Sequence, residues 1–127
     1  MNLKRTISIA LILSAVFIAG LAAQPRPNPN PLLIRLDNLA RDFESLARET
    51  GNLAAQQRPN QQALNRAETN RRNLLAQQAR NQREWRDFFS RGGDLTRAEQ
   101  DRLNAASNRI LLADDRIGAN IRTINSR

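Results

Sequence analysis

The sequence predicts an all-α protein, an elongated antiparallel three-helix bundle. Three observations carry that expectation. Apolar residues recur at helical spacing over three long segments. Short stretches rich in Pro, Gly and Asn separate those segments. A capping box opens the last of them, and acid-then-base pairs four residues apart line the exposed faces.

Ahead of the helices comes MNLKRTISIALILSAVFIAGLAA. Lys4 and Arg5 form a cationic stub, an apolar run follows, and Ala22 and Ala23 close it. This is the plan of a signal peptide over residues 1–23. Cleavage fits after Ala23 or after Ala22. The alternative is retention of residues 7–23 as a membrane anchor, although 17 residues lie at the short limit for a spanning helix. No cysteine follows, which excludes a lipoprotein. The expected location is therefore exported, periplasmic or secreted.

Residues 24–31, QPRPNPNP, hold four prolines in eight positions. Proline fixes φ and lacks an N–H, so this stretch reads as a stiff, extended linker. The bundle domain is expected over 32–127.

The first helix is expected over 32–57. Leu32, Leu36, Leu39, Phe43, Leu46, Thr50 and Leu53 recur with alternating spacings of four and three, a heptad seam. Gly51-Asn52 is a weak point within it. Arg58-Pro59-Asn60 makes the turn. The second helix is expected over 61–91, with Leu64, Ala67, Leu74, Trp85, Phe88 and Phe89 among its inward residues. Arg71, Gln78 and Asn81 interrupt that stripe. Either they fix register at a cost in stability, or the middle of the helix is partly exposed. Gly92-Gly93 breaks the chain. The third helix is expected over 95–125, with Thr96 as N-cap and Glu99 completing a capping box. Its stripe is Leu103, Ala106, Ile110, Ala113, Ile117, Ile121 and Ile124. Asp37/Arg41, Glu44/Arg48, Glu68/Arg72 and Asp87/Arg91 are spaced as stabilising surface pairs.

Composition narrows the function. The whole chain carries +8, and the 104 residues beyond the signal peptide carry +6. Every basic residue among those 104 is arginine, whose planar guanidinium suits carboxylate and phosphate. Codon usage in a GC-rich genome produces the same bias. Cys, His and Tyr are absent, which removes disulfides, the common transition-metal ligands and the neutral-pH proton shuttle. The charge is uneven. Residues 58–93 hold eight arginines against three acids, whereas 32–57 hold three against four. Arg66, Arg72, Arg80, Arg83 and Arg86 fall away from the seam. They form either an ordinary solvated face or an anion-binding strip.

Trp85, Phe88 and Phe89, next to Arg83, Arg86 and Arg91, have two readings. They close one end of the core with Phe43 as partner, or they contact a partner or membrane. Leu111 and Leu112 widen the third helix's stripe, for burial between helices or for a partner. No cofactor or metal site is expected. The span from Asp87 to Glu99 has Gly92 where a calcium loop needs glycine. However, Phe89 and Arg91 occupy ligand positions and Ala98 the bidentate one. Asp114 and Asp115 are adjacent on a helix and point about 100° apart, so they cannot converge as an acid/base dyad. With no nucleophile elbow or phosphate loop either, an enzyme is not expected.

Leu95, Thr96 and Glu99, with Gln100 beside them, form L-T-x-x-E-Q. The string resembles the L-T-x-x-Q motif of Spy/CpxP-type periplasmic proteins. The resemblance implies a small, exported, helical and basic protein acting as an envelope-stress chaperone or sensor. Glu99 stands where that family has Gln, only one copy of the motif is present, and no site residue is transferred.

The leading expectation is a non-enzymatic exported protein that binds an anionic or unfolded partner in the cell envelope, with peripheral membrane contact. The alternative is a structural adaptor that pairs with another helical chain or with itself as a homo-oligomer. Nucleic acid is not expected as a partner, because the signal segment removes the chain from it.

Overall fold

The computed structural model describes residues 27–127. The signal peptide expected at 1–23 and linker residues 24–26 lie outside the described residues. Three helices follow: α1, Asn30–Ala55; α2, Gln61–Ser90; and α3, Arg97–Asn125. They form the expected all-α bundle. At 1.5 Å per residue they run about 39–45 Å each, so the domain is elongated. Arg35 near the start of α1 meets Glu84 near the end of α2, so these two are antiparallel. Asp37 meets Arg102 near the start of α3, so α1 and α3 are parallel. The order is up, down, up.

α1 begins at Asn30, two residues before its expected start. The last two prolines of the linker belong to its first turn. Pro29 is the N-cap, and its carbonyl accepts from the Leu33 N–H at 3.0 Å. Pro31 sits where no N–H is needed and its fixed φ already suits the helix. The helix runs through Gly51, and all seven seam residues are buried. Leu33, Ala40 and Ala47 add a second buried row at seven-residue spacing. That widened stripe lets α1 pack against both neighbours. Thr50, on the seam, is fully buried and satisfied. Its hydroxyl donates to the Leu46 and Ala47 carbonyls and accepts from Asn120 Nδ2 at 3.1 Å.

Asn60 caps α2 by accepting from the Gln62 N–H at 2.9 Å. The far end closes on two glycines with different duties. Gly92 has φ +82°, the left-handed conformation that glycine adopts without strain. Its N–H donates to the Phe89 carbonyl, and the Gly93 N–H donates to that of Phe88, which is the Schellman pattern. A Cβ on Gly93 would stand 2.5 Å from the Phe88 carbonyl oxygen and 2.6 Å from its ring. α3 opens on the predicted capping box: the Glu99 N–H donates to Thr96 Oγ1, and the Thr96 N–H donates to Glu99 Oε1. Leu95 is buried just before it. The L-T-x-x-E string thus holds the entry of α3, with Leu95 and Thr96 preceding the helix rather than opening it.

The aromatic cluster belongs to the core. Trp85 is 1% exposed, and Phe88 and Phe89 are equally enclosed. Their rings pack on one another at centroid distances of 5.2–5.8 Å. This excludes them as surface contacts for a partner or membrane. Phe43 is fully buried but pairs with none of the three rings. Antiparallel pairing brings the start of α1, not its middle, against the end of α2, so Leu32 and Leu36 line the spaces beside Phe88 and Trp85. Gln78 and Asn81 are buried too, facing Ser107 across a cavity of about 20 Å³. Partial exposure is thus excluded for Gln78 and Asn81, whereas Arg71, the third polar residue of the stripe, keeps 26% exposure. Trp85 also lines that cavity, and its Nε1 is buried without a hydrogen-bond partner. Among the described residues, no helix is long and apolar enough to cross a membrane.

Candidate functional site

Helical periodicity dictates where the α2 arginines go. At 100° per residue, Leu64, Ala67, Leu74, Trp85 and Phe88 share one side of the helix. Arg66, Arg72, Arg80, Arg83 and Arg86 fall within about 160° of arc centred opposite them. All five are exposed. Among the described residues none of the five forms an ion pair; Arg72 instead donates to Thr69 Oγ1 at 3.3 Å. Asp87 lies on the same side and pairs with Arg91 at 3.0 Å. Glu84 turns away to Arg35 on α1. The result is a strip of exposed arginines along α2. It can engage phosphate or carboxylate oxygens bidentately.

The acids of α1 are used elsewhere. Asp37 and Glu44 do not turn to Arg41 and Arg48 on their own helix, as the surface spacing suggests. Arg102 Nε donates to Asp37 Oδ2 at 3.0 Å, and Arg109 Nε donates to Glu44 Oε2 at 3.1 Å. Both contacts join residues 65 apart, and each is seven residues from the next. They are rungs of one ladder along the parallel α1–α3 seam. The hydrogen bond from Arg109 is the main cause holding the Glu44 carboxyl below its ordinary range. Partial burial opposes it, and the charges of Arg109, Arg48 and Arg41 reinforce it.

A third polar group was not legible as a site. Arg71 of α2 donates from Nε to Asp114 Oδ1 of α3 at 2.9 Å, and from Nη2 to Oδ2 at 3.4 Å. Asp114 is fully buried, whereas Asp115 is exposed, so the two carboxylates diverge as helical geometry requires. Burial pushes the Arg71 guanidinium below its ordinary value. The neighbouring Arg122 acts in the same sense and Asp115 in the opposite one. Gly118, one turn from Asp114, leaves the space Arg71 crosses: a Cβ there would lie 3.2 Å from Arg71 Nη2. The available signal was an acid set between the stripe residues Ala113 and Ile117, with a glycine one turn on and an arginine on the facing seam. Such an ion pair orders the α2–α3 register. Its carboxylate is wholly enclosed, so the pair is read as a structural contact between α2 and α3.

Leu111 is partly buried, whereas Leu112 is 72% exposed. The two residues of the widened stripe therefore part company. Neither joins the hydrophobic core, and Leu112 stands in a groove between α1 and α3. No family model matches this chain, and no curated protein or solved structure is significantly similar to it.

Proposed function

We propose that this chain is an exported, non-enzymatic binding protein of the cell envelope that holds an anionic partner along α2. One observation carries the reading. Five arginines occupy the face of α2 opposite the core, and no carboxylate among the described residues pairs with any of them. Eight arginines against three acids leave the 58–93 stretch in net excess of positive charge. Two of the α2 acids on this side are spoken for, Asp87 by Arg91 and Glu84 by Arg35, and Glu68 pairs with none of the five arginines. A row of phosphates or carboxylates supplies the missing charge. Export to the envelope, read from the amino-terminal segment, places such a surface among phosphate-bearing lipids and acidic polymers. The enclosed aromatic cluster favours an anionic partner over an unfolded one, because an unfolded client needs exposed apolar area.

The test is cosedimentation of the purified protein with vesicles of phosphatidylglycerol or of phosphatidylcholine, at low and high salt. Binding to the anionic vesicles alone, falling steeply with salt, is the expected result. The triple substitution Arg72→Gln, Arg80→Gln, Arg83→Gln should weaken it while leaving helicity unchanged. Equal binding to both vesicles, or none at low salt, would overturn the reading.

A further inference from the structure

The α1–α3 ladder has a rung missing. Asp37–Arg102 and Glu44–Arg109 advance by seven residues on both helices. By the same spacing the next rung would pair residue 51 with Arg116. Residue 51 is glycine, so Arg116 has no carboxylate opposite it, and among the described residues it forms no ion pair. A groove of about 500 Å³ opens between the Glu44–Arg109 rung and Arg116. Its floor is Ala47 and Ala113, whose small side chains give it depth, and Leu112 stands within it. Arg48, Arg109 and Arg116 surround it, with Glu44 as the sole acid among its lining. Glu44 is hydrogen-bonded by Arg109, so Arg48 and Arg116 stand beside apolar surface with no carboxylate bonded to either.

We propose that this groove binds a single-chain anionic amphiphile, whose headgroup meets Arg48 and Arg116 and whose alkyl chain covers Leu112, Ala47 and Ala113. Charge complementarity and amphipathy select this occupant together. A small inorganic anion would leave Leu112 wet, and a neutral apolar chain would leave the guanidinium groups unmatched. The groove lies between α1 and α3, away from the outer face of α2, so it is independent of the strip proposed above. A Cβ at residue 51 meets only Asn120 Nδ2 at 3.6 Å, an ordinary contact, so packing does not demand glycine. By the ladder's spacing, a carboxylate at residue 51 would pair with Arg116 and compete with the headgroup for it.

Titration with dodecyl phosphate below its micelle concentration tests this, followed by amide chemical shifts across residues 44–51 and 109–116. Dodecyl maltoside and inorganic phosphate serve as the neutral-head and head-only probes. Saturable binding of dodecyl phosphate, with shifts confined to those two stretches, is expected. Gly51→Glu and Leu112→Ser should each weaken it by about tenfold, the order of losing one charge-assisted contact or one buried apolar side chain. Thermal unfolding of the variants confirms that they fold, and Arg116→Gln supplies an independent removal of the headgroup contact. Equal affinity for the maltoside or for free phosphate would overturn the proposal, as would unchanged binding in folded Gly51→Glu. Loss of binding in the α2 triple variant would place the amphiphile on the strip instead.

Discussion

Arg71 and Asp114 form an ion pair between α2 and α3 in which the carboxylate is fully enclosed and the guanidinium reaches it over Gly118. The two halves are unequal. The Arg71 side chain retains 26% exposure, whereas Asp114 has none. Removing the arginine therefore strands a buried carboxylate. Arg71→Ala should cost about 3–5 kcal/mol in urea unfolding. Asp114→Ala should cost less, because Arg71 can turn to water. The double substitution Arg71→Leu/Asp114→Leu should lie within about 1–2 kcal/mol of the parent, since neither charge remains to desolvate. A double variant as unstable as Arg71→Ala would show that the pair contributes net stability.

The glycines inside helices should respond with opposite signs. Gly51→Ala meets no crowding and should stabilise the protein by about 0.5–1 kcal/mol through helix propensity. At Gly118 the added methyl stands 3.2 Å from Arg71 Nη2 and 3.4 Å from Arg122 Nη1. Displacing Arg71 from a buried acid outweighs the propensity gain, so Gly118→Ala should lower the melting temperature. In the Arg71→Leu/Asp114→Leu background the same change should become neutral or stabilising.

At the α2–α3 turn, Gly92→Ala should cost about 1–2 kcal/mol, the penalty for an L residue at positive φ. Gly93→Ala should cost more, because its Cβ meets backbone and ring atoms of Phe88 that cannot withdraw without unseating the core. Denaturant midpoints rank the two. Thr96→Ala, which removes one half of the capping box, should cost about 1 kcal/mol.

Stability should fall in acid partly through Glu44. Its carboxyl titrates lower in the folded chain than in the unfolded one, chiefly through the hydrogen bond from Arg109. The folded state therefore gains from ionised Glu44 above the unfolded carboxylate range. It loses that gain as pH drops below about 4.5 and through the lowered folded value. Glu44→Gln should flatten the acid limb of a stability-versus-pH curve and leave the neutral region nearly flat. The pair is half-exposed, so the effect should shrink in high salt. An unchanged acid limb would remove Glu44 from the account.

Much of the bundle was legible because it is encoded locally. The heptad seam of α1, the capping box of Thr96 and Glu99, and the Gly92-Gly93 stop depend on residues within one or two turns of each other. Burial of Gln78 and Asn81 was open to two readings, since a polar residue on a stripe is equally compatible with a solvated groove. The arginine strip followed from periodicity alone. The destination of the aromatic cluster did not, because the same side chains suit a core end or a membrane interface.

Helix number, order, approximate bounds and the basic outer face of α2 were thus determined by the sequence itself, through spacings of three, four and seven residues. Tertiary structure decided partner choice. Asp37 and Glu44 turn to Arg102 and Arg109 rather than to the arginines four residues along, because the parallel packing of α1 and α3 presents a guanidinium at each rung. Asp114 meets Arg71, 43 residues away, because the antiparallel register of α2 and α3 sets them at one level. The groove that gathers Arg48, Arg109 and Arg116 around Leu112 likewise exists only once α1 and α3 are packed together. Intrahelical geometry is written in sequence distance. Interhelical register is set by how whole apolar stripes interlock, and no local window contains it.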